Sequence, residues 1–272
     1  MNRTARVSLG LLDRIVATKV REVEILRQQS AELWRDARAV APPVDFAAAL
    51  RGVSAAVSVI AEVKRRSPSA GVLRDSADPA TTAVAYSSGG ASAISVLTDA
   101  EYFGGSIADV AAVVAAVPIP VLRKDFTIDA LQIAEARASG AAAILLIVRL
   151  LDLAALTSLR EEAEALGMAA LVEAHDEREL DLALRSGATI VGVNNRDLDT
   201  LTIDLAVSES LLPRIPANCL AIAESGIRDA ADVARMAAAG ADAVLVGESL
   251  MRHGPSKDGV QSLAGVLRRA RP

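Results

Sequence analysis

Eight short aliphatic runs recur along the chain: Val57–Val63, Ala93–Leu97, Pro120–Arg123, Ala142–Ile147, Ala169–Val172, Ile190–Val193, Leu220–Ala223 and Ala243–Val246. None alternates apolar with polar residues. That is the pattern of parallel strands covered on both faces rather than of strands with one wet side. Successive runs start about 20 to 35 residues apart, enough for one helix in each crossover. A weak internal repeat marks the ends of those helices: Gly90-Ala91, Gly140-Ala141, Gly187-Ala188 and Gly240-Ala241 each follow a helical stretch and precede a strand. Glycine stops a helix there because it takes the left-handed conformation without penalty. Eight βα units could wind as an open sheet or close on themselves. The regular spacing, and the polar strand ends described below, favour closure. The expected fold is α/β, a (β/α)8 TIM barrel, and 272 residues with 52% hydrophobic side chains suffice for it as one domain over 1–272.

A different regime precedes the first run. Residues 7 to 36 place Leu11, Leu12, Ile15, Val16, Val20, Val23, Ile25 and Leu26 at helical spacing between charges, with Ser8 as a cap, so one amphipathic helix is expected. Pro42 and Pro43 break it, and Phe46–Leu50 reads as a short second helix. The boundary is set at 1–56 for an N-terminal helical extension and 57–272 for the barrel.

Composition narrows the function classes. A net charge of −5 and only 2% aromatic residues argue against nucleic acid as a partner, since phosphate backbones need clustered cations and bases need stacking platforms. No run reaches the roughly 20 uncharged apolar residues of a membrane span, so no membrane partner is expected. The single cysteine, Cys219, has no internal disulfide partner, and the charged N-terminal region does not read as a secretory signal, which suggests a cytoplasmic setting.

Polar residues appear as the aliphatic runs end: Glu62 and Lys64, Asp99, Lys124, Glu173, Asn194 and Asn195, Glu224 and Ser225, Gly247 and Glu248. In a (β/α)8 barrel the carboxyl ends of the strands surround one mouth, so these residues converge on a small-molecule site. Plainer readings exist. Glu62 and Lys64 share a strand face and could be a structural ion pair, and Lys124 could be a solvated loop charge. Glu173 and Glu224 close apolar strands, where a carboxylate is costly unless paired or functional. Asn194 and Asn195 could shape a turn. Ser225-Gly226 and Gly247-Glu248-Ser249 stand after the seventh and eighth runs, where barrels of this type bind phosphate through backbone amides. Such a site needs no positive side chains, so the negative net charge does not oppose it.

His175 and His253 are read as lacking a second His, Cys or acidic residue at metal-ligand spacing, so no metal is expected. Cys219 reads as a small buried hydrophobe and Trp34 as a packing anchor. The charges from Arg160 to Glu164 read as a solvated helix face.

Seven ordered segments carry a specific resemblance: residues 60–71 (IAEVKRRSPSAG), 95–106 (SVLTDAEYFGGS), 120–129 (PVLRKDFTID), 171–173 (LVE), 192–198 (GVNNRDL), 223–227 (AESGI) and 245–251 (LVGESLM). Along nearly its whole length the chain resembles the indole-3-glycerol-phosphate synthase family. The resemblance implies ring closure, decarboxylation and dehydration of 1-(2-carboxyphenylamino)-1-deoxyribulose 5-phosphate, a small phosphorylated substrate, to indole-3-glycerol phosphate. It implies no cofactor, and a monomer is expected. It puts the general acid on Lys124, substrate holding and acid catalysis of dehydration on Lys64, and base or electrostatic roles on Glu173 and Glu62. Asn194, Glu224, Ser225 and Arg196 fall on substrate-contacting positions, and Phe103 and Phe126 on the walls around the anthranilate ring. Ser67, Gly226, Gly247 and Glu248 fall at the phosphate end, Glu248 through its backbone amide. The N-terminal helices resemble an extension that covers part of the barrel mouth. Ala174, where a larger aliphatic is common, and the pair Arg65-Arg66 depart mildly from the pattern.

Two other readings compete. Phosphoribosylanthranilate isomerase is also a phosphate-binding barrel, but its chemistry resembles a Cys/Asp pair at other strand ends, and Cys219 precedes the seventh run. A catalytically silent scaffold would have no physical need for a ring of desolvated charges.

Overall fold

The computed structural model describes residues 10–52 and 55–271. Eight strands, β1 (Ser58–Val63), β2 (Ala93–Leu97), β3 (Val121–Lys124), β4 (Ala143–Ile147), β5 (Ala169–Ala174), β6 (Ile190–Asn194), β7 (Leu220–Glu224) and β8 (Ala243–Val246), form a closed barrel. Sequence neighbours pair throughout, all in parallel, and β1 closes the ring on β8. The strands fall on the eight aliphatic runs. β3, β5, β6 and β7 run on beyond the runs through their polar ends, so that Asn194 stands opposite Glu224 within the ladder and Lys124 opposite Leu97. Glu62, Lys124, Glu173, Asn194 and Glu224 are therefore held within the sheet, which fixes their separations closely.

Because alternate residues of a strand face opposite ways, each strand contributes to two apolar cores. Val59, Ala61 and Val63 of β1 pack outward beneath the helices, as do Val172, Val191 and Val244. Ile60, Leu122, Leu145, Leu171, Ile222 and Leu245 fill the barrel interior. One further step of two residues from these interior positions leads to Glu62, Lys124, Ile147, Glu173, Glu224 and Gly247 at the mouth. A single period-2 alternation thus builds a dry floor and sets a charged layer on top of it.

The crossovers carry α4 (Pro79–Ser88), α5 (Ala100–Phe103), α6 (Ile107–Ala116), α7 (Ala130–Ala138), α8 (Leu153–Ala165), α9 (Glu177–Arg185), α10 (Ala206–Leu211) and α11 (Ala230–Ala238), with α12 (Glu248–Arg252) and α13 (Lys257–Gln261) after β8. Asp caps start many of them: the side chains of Asp78, Asp129, Asp152, Asp176 and Asp229 accept first-turn backbone N–H bonds. The repeated glycines end α4, α7, α9 and α11 with φ between 83° and 96°. In each case the following alanine N–H reaches back five residues, as from Ala141 to the Ala136 carbonyl at 3.0 Å and from Ala241 to the Met236 carbonyl at 3.0 Å. Among the described residues no helix is long and apolar enough to cross a membrane.

The expected helix over 7 to 36 is two helices, α1 (Leu11–Arg27) and α2 (Ser30–Ala39), and the Ser8 cap lies outside the described residues. No Gly or Pro marks the break at Gln28-Gln29. Tertiary packing imposes it. α1 lies across the mouth, where Leu11, Leu12 and Ile15 line the cavity, while α2 descends the flank against α7. The chain then reaches α3 (Phe46–Arg51), whose Phe46 and Leu50 plug the opposite end of the interior core. Cys219 is buried, whereas Trp34 is only partly covered and carries the Arg38 guanidinium over its ring at 5.6 Å.

Candidate active site

A cavity of about 410 Å³ opens at the carboxyl ends of the strands. Glu62, Lys64, Ser67, Phe103, Lys124, Phe126, Glu173, Asn194, Arg196, Ser225, Gly226, Gly247 and Glu248 all line it. Glu224, also singled out from the sequence, sits buried in its floor, with Oε2 3.4 Å from the Lys124 ammonium, whereas Asp99 instead pairs with Lys19 of α1. Asn195 turns away instead: its side chain donates to the Glu224 and Ser225 carbonyls and accepts from the Ser208 N–H. It ties β6 to β7 and to α10, the turn-shaping reading of this residue.

Lys124 is the centre of the floor. Its Nζ lies 3.6 Å from Glu173 Oε2 and 3.4 Å from Glu224 Oε2. Burial disfavours its charge, but the attraction of Glu224, Glu173 and Glu62 outweighs this and holds the ammonium protonated far above the usual lysine range. Across the mouth, Lys64 Nζ meets Glu62 Oε1 at 2.8 Å. Burial again works against the Glu62 charge, and Lys64 and Lys124 together bring its carboxyl below the usual range.

The two carboxylates beside Lys124 are not equivalent. Glu173 is buried yet held ionised, because Lys124 and His175 both face it. Glu224 is buried with only one cation nearby, and no hydrogen bond from a described group reaches either of its oxygens. Desolvation therefore pushes its carboxyl well above the usual range, and the negative charge of Glu173 pushes the same way. One proton is thus allotted to Glu224 while Glu173 stays an anion.

Two glycines make room for this arrangement. A Cβ on Gly192 of β6 would collide with the Glu224 carboxylate, and one on Gly247 would collide with that of Glu62. Gly192, inside an otherwise branched strand, is therefore a space requirement of the charged layer.

The rim supplies apolar and phosphate-type surfaces. Phe103 and Phe126 stand 6.1 Å apart between ring centroids at 40°, forming an aromatic corner. Ser225 holds a left-handed φ of 65°, and Gly226 follows at 83°. Strain of this kind in a non-glycine residue persists only where surroundings enforce it. The Glu248 carboxylate is taken by Arg196 at 3.4 Å and Arg252 at 3.0 Å, which leaves its backbone amide for the cavity. Ser67 lies in a hairpin of Arg66–Ser67 with Gly71–Val72 after β1, and its Oγ accepts from the Ala70 N–H.

Sequence reasoning passed over Lys19 and Glu179. Lys19 of α1 is fully buried, with Nζ 2.8 Å from Asp99, 2.9 Å from Asp125 and 2.9 Å from Glu22. It pins α1 to the ends of β2 and β3, one residue from Lys124. A lysine among helical charges gives no signal of burial; only the docking of α1 creates it. The reading of His175 also changes, because acidic neighbours do stand at close spacing. Glu173 lies two residues before it and Glu179 four after, and they contact Nε2 at 3.3 Å and Nδ1 at 2.9 Å. Among the described residues no group of three or more His, Cys, Asp or Glu side chains is placed to hold a metal.

The chain is similar to known proteins along most of its length. A family model for indole-3-glycerol phosphate synthase matches residues 12–263. Curated relatives of that name include those of Mycolicibacterium smegmatis, 52% identical with 85% of each chain covered, and Mycobacterium bovis, 50% identical over 86% of this chain and 85% of the relative. Among solved structures, a thiamine phosphate pyrophosphorylase from Pyrococcus furiosus shares the fold, with a TM-score of 0.56 at 14% identity, covering 76% of this chain and 93% of that one.

Proposed function

The chain belongs to the indole-3-glycerol phosphate synthase family, and on that footing we propose how its own residues carry the reaction. The enzyme is a carboxy-lyase of tryptophan biosynthesis. It closes the pyrrole ring of 1-(2-carboxyphenylamino)-1-deoxyribulose 5-phosphate, losing carbon dioxide and then water. In our reading the anthranilate ring sits in the Phe103–Phe126 corner. The phosphate lies at the other end, on the amides of Gly226, Gly247 and Glu248 with the Ser67 hydroxyl. Arg196, Asn194 and Ser225 hold the chain between them.

The observation that carries the reading is the Lys124 ammonium set between Glu173 and Glu224 on an apolar floor. As the ring carbon attacks the substrate carbonyl, the oxygen becomes an alkoxide, which is far more basic than an amine. The cation first stabilises that charge and then surrenders its proton to it. Loss of the substrate carboxylate as carbon dioxide returns the electron pair to the ring and restores aromaticity. The second stage needs an acid for the departing hydroxyl and a base for the proton on the adjacent carbon. The Lys64–Glu62 pair, 2.8 Å apart, offers both. Glu173 then acts electrostatically, keeping Lys124 charged, and Glu224 holds its proton until the product leaves.

The protein is further proposed to act as a monomer in the cytoplasm, since every site residue comes from one chain and Cys219 is a free thiol. Purified protein with the carboxyphenylamino substrate is expected to develop indole fluorescence, undiminished by a chelator. Lys124→Ala is expected to lower kcat at least ~10²-fold with the circular dichroism unchanged. A folded variant retaining the parental rate would remove Lys124 from the acid role.

A further inference from the structure

His175 follows β5 directly, and its ring is buried between two carboxylates. Nε2 lies 3.3 Å from Glu173 Oε1, and Nδ1 lies 2.9 Å from Glu179 Oε2. Glu179, in the first turn of α9, is itself held in place. Its Oε2 also accepts the His175 backbone N–H at 2.9 Å, and its Oε1 accepts from Arg149 Nε at 2.8 Å. Arg149, just beyond β4, reaches the exposed Asp199 at 3.3 Å. Charges therefore alternate in sign from the surface to the floor, through Asp199, Arg149, Glu179, His175 and Glu173 to Lys124.

An ionised carboxylate can only accept, so Nδ1, hydrogen-bonded to Glu179, carries a proton, while Nε2, 3.3 Å from Glu173 Oε1, faces an anion that favours a proton there as well. A neutral imidazole would turn a lone pair toward one carboxylate oxygen. Burial disfavours the charged ring, but the Glu173 and Glu179 carboxylates on either side of it prevail and raise its pKa to about 9. The charged groups around this ensemble are Glu173 on β5, Glu179 on α9, Arg149 after β4 with Asp199 beyond it, Lys124 on β3, Glu62 on β1 with Lys64, and Glu224 on β7. Of the two carboxylates flanking Lys124, only Glu173 has a second cation against it.

We propose that His175, clamped by Glu179, is a positioning residue that selects Glu173 as the anionic partner of Lys124 and so leaves the active-site proton on Glu224. The ring touches neither the cavity nor substrate; it acts through Glu173. This rests on the residue roles given above, and it adds that they depend on a cation delivered from outside the cavity wall.

The chain has two histidines, so the ¹⁵N spectrum of the unliganded protein is simple, and His253→Gln identifies the His175 signals. At pH 7 both His175 nitrogens are expected at imidazolium shifts. A neutral tautomer there overturns the assignment. His175→Gln keeps an N–H donor toward Glu173 but removes the charge, so Glu173 should protonate more readily. The acid limb of the kcat profile is expected to move up by at least about one pH unit, with KM within about twofold of the parent. A superimposable profile also overturns it, because a residue that only packed would not set that limb. The spectrum needs no substrate, which separates failure of this assignment from failure of the roles it builds on.

Discussion

Replacing the two carboxylates beside Lys124 one at a time by their amides should give opposite results. Glu173→Gln removes an anion that lies 3.6 Å from the Lys124 ammonium and 3.3 Å from the His175 ring. At an effective dielectric near 20, each attraction is roughly 5 kcal/mol, offset by several kcal/mol of desolvation that the amide does not suffer. Removing one member of a buried pair nets about 3–5 kcal/mol of destabilisation. The lower end applies here, since Glu224 can ionise in place of the missing charge. Glu224→Gln instead swaps a protonated acid for its isostere. The native protein keeps the Glu224 proton above the pH at which an unfolded chain releases it, near 4.3, so this group lowers parental stability by about 1.4 kcal/mol for each pH unit above that value. The amide abolishes that loss, and its advantage over the parent should grow by roughly 3 kcal/mol between pH 5 and pH 7. Glu173 has the opposite sign. Its carboxyl is depressed in the folded state, so its contribution is complete at neutral pH and disappears as pH falls below the unfolded value. The assay is urea unfolding by far-UV circular dichroism at pH 5, 6 and 7. Stability changes of the same sign and slope in both variants would refute the unequal sharing of the proton.

Lys19→Met leaves Asp99 and Asp125 buried without their common cation, though Asp125 keeps Arg123, Thr98 and the Phe126 N–H. About 3 kcal/mol of stability should be lost, and KM should rise severalfold as α1 loosens over the mouth; a loss under ~1 kcal/mol would show that the carboxylates are not desolvated as described. Gly247→Ala drives a methyl into the Glu62 carboxylate and should lower kcat about tenfold or more by parting it from Lys64, which a steady-state assay at saturating substrate reads; an unchanged kcat would show that the 2.8 Å pair is dispensable.

Much of the barrel was legible because its code is local. A parallel strand covered on both faces must be aliphatic throughout, and a helix that turns back needs a left-handed stop, so runs and Gly-Ala pairs recur visibly. The mouth was legible for the same reason: Glu62, Lys124, Glu173 and Glu224 interrupt apolar strands at one end, where nothing but pairing or function tolerates a charge. The break between α1 and α2, the burial of Lys19 and the engagement of His175 were not legible. Each depends on which surface a helix docks against, and no local pattern encodes that. His175 and Glu179 stood four apart in plain view, but their meaning required knowing that Glu173 faces the same side.

The alternation of residues along eight strands settles by itself that a dry floor carries a charged rim, because side-chain direction follows from backbone geometry alone. The family rests on something else, the seven ordered segments of resemblance and the match over residues 12–263. Only the closed tertiary structure decides how those charges are valued. Closure brings Lys124 between Glu173 and Glu224, far apart in the chain but adjacent on the floor, and it gives Glu173 a second cation and Glu224 no second one. In the dry interior the electrostatic balance turns on such differences in contact, so the location of one proton is a property of the fold and not of the sequence pattern.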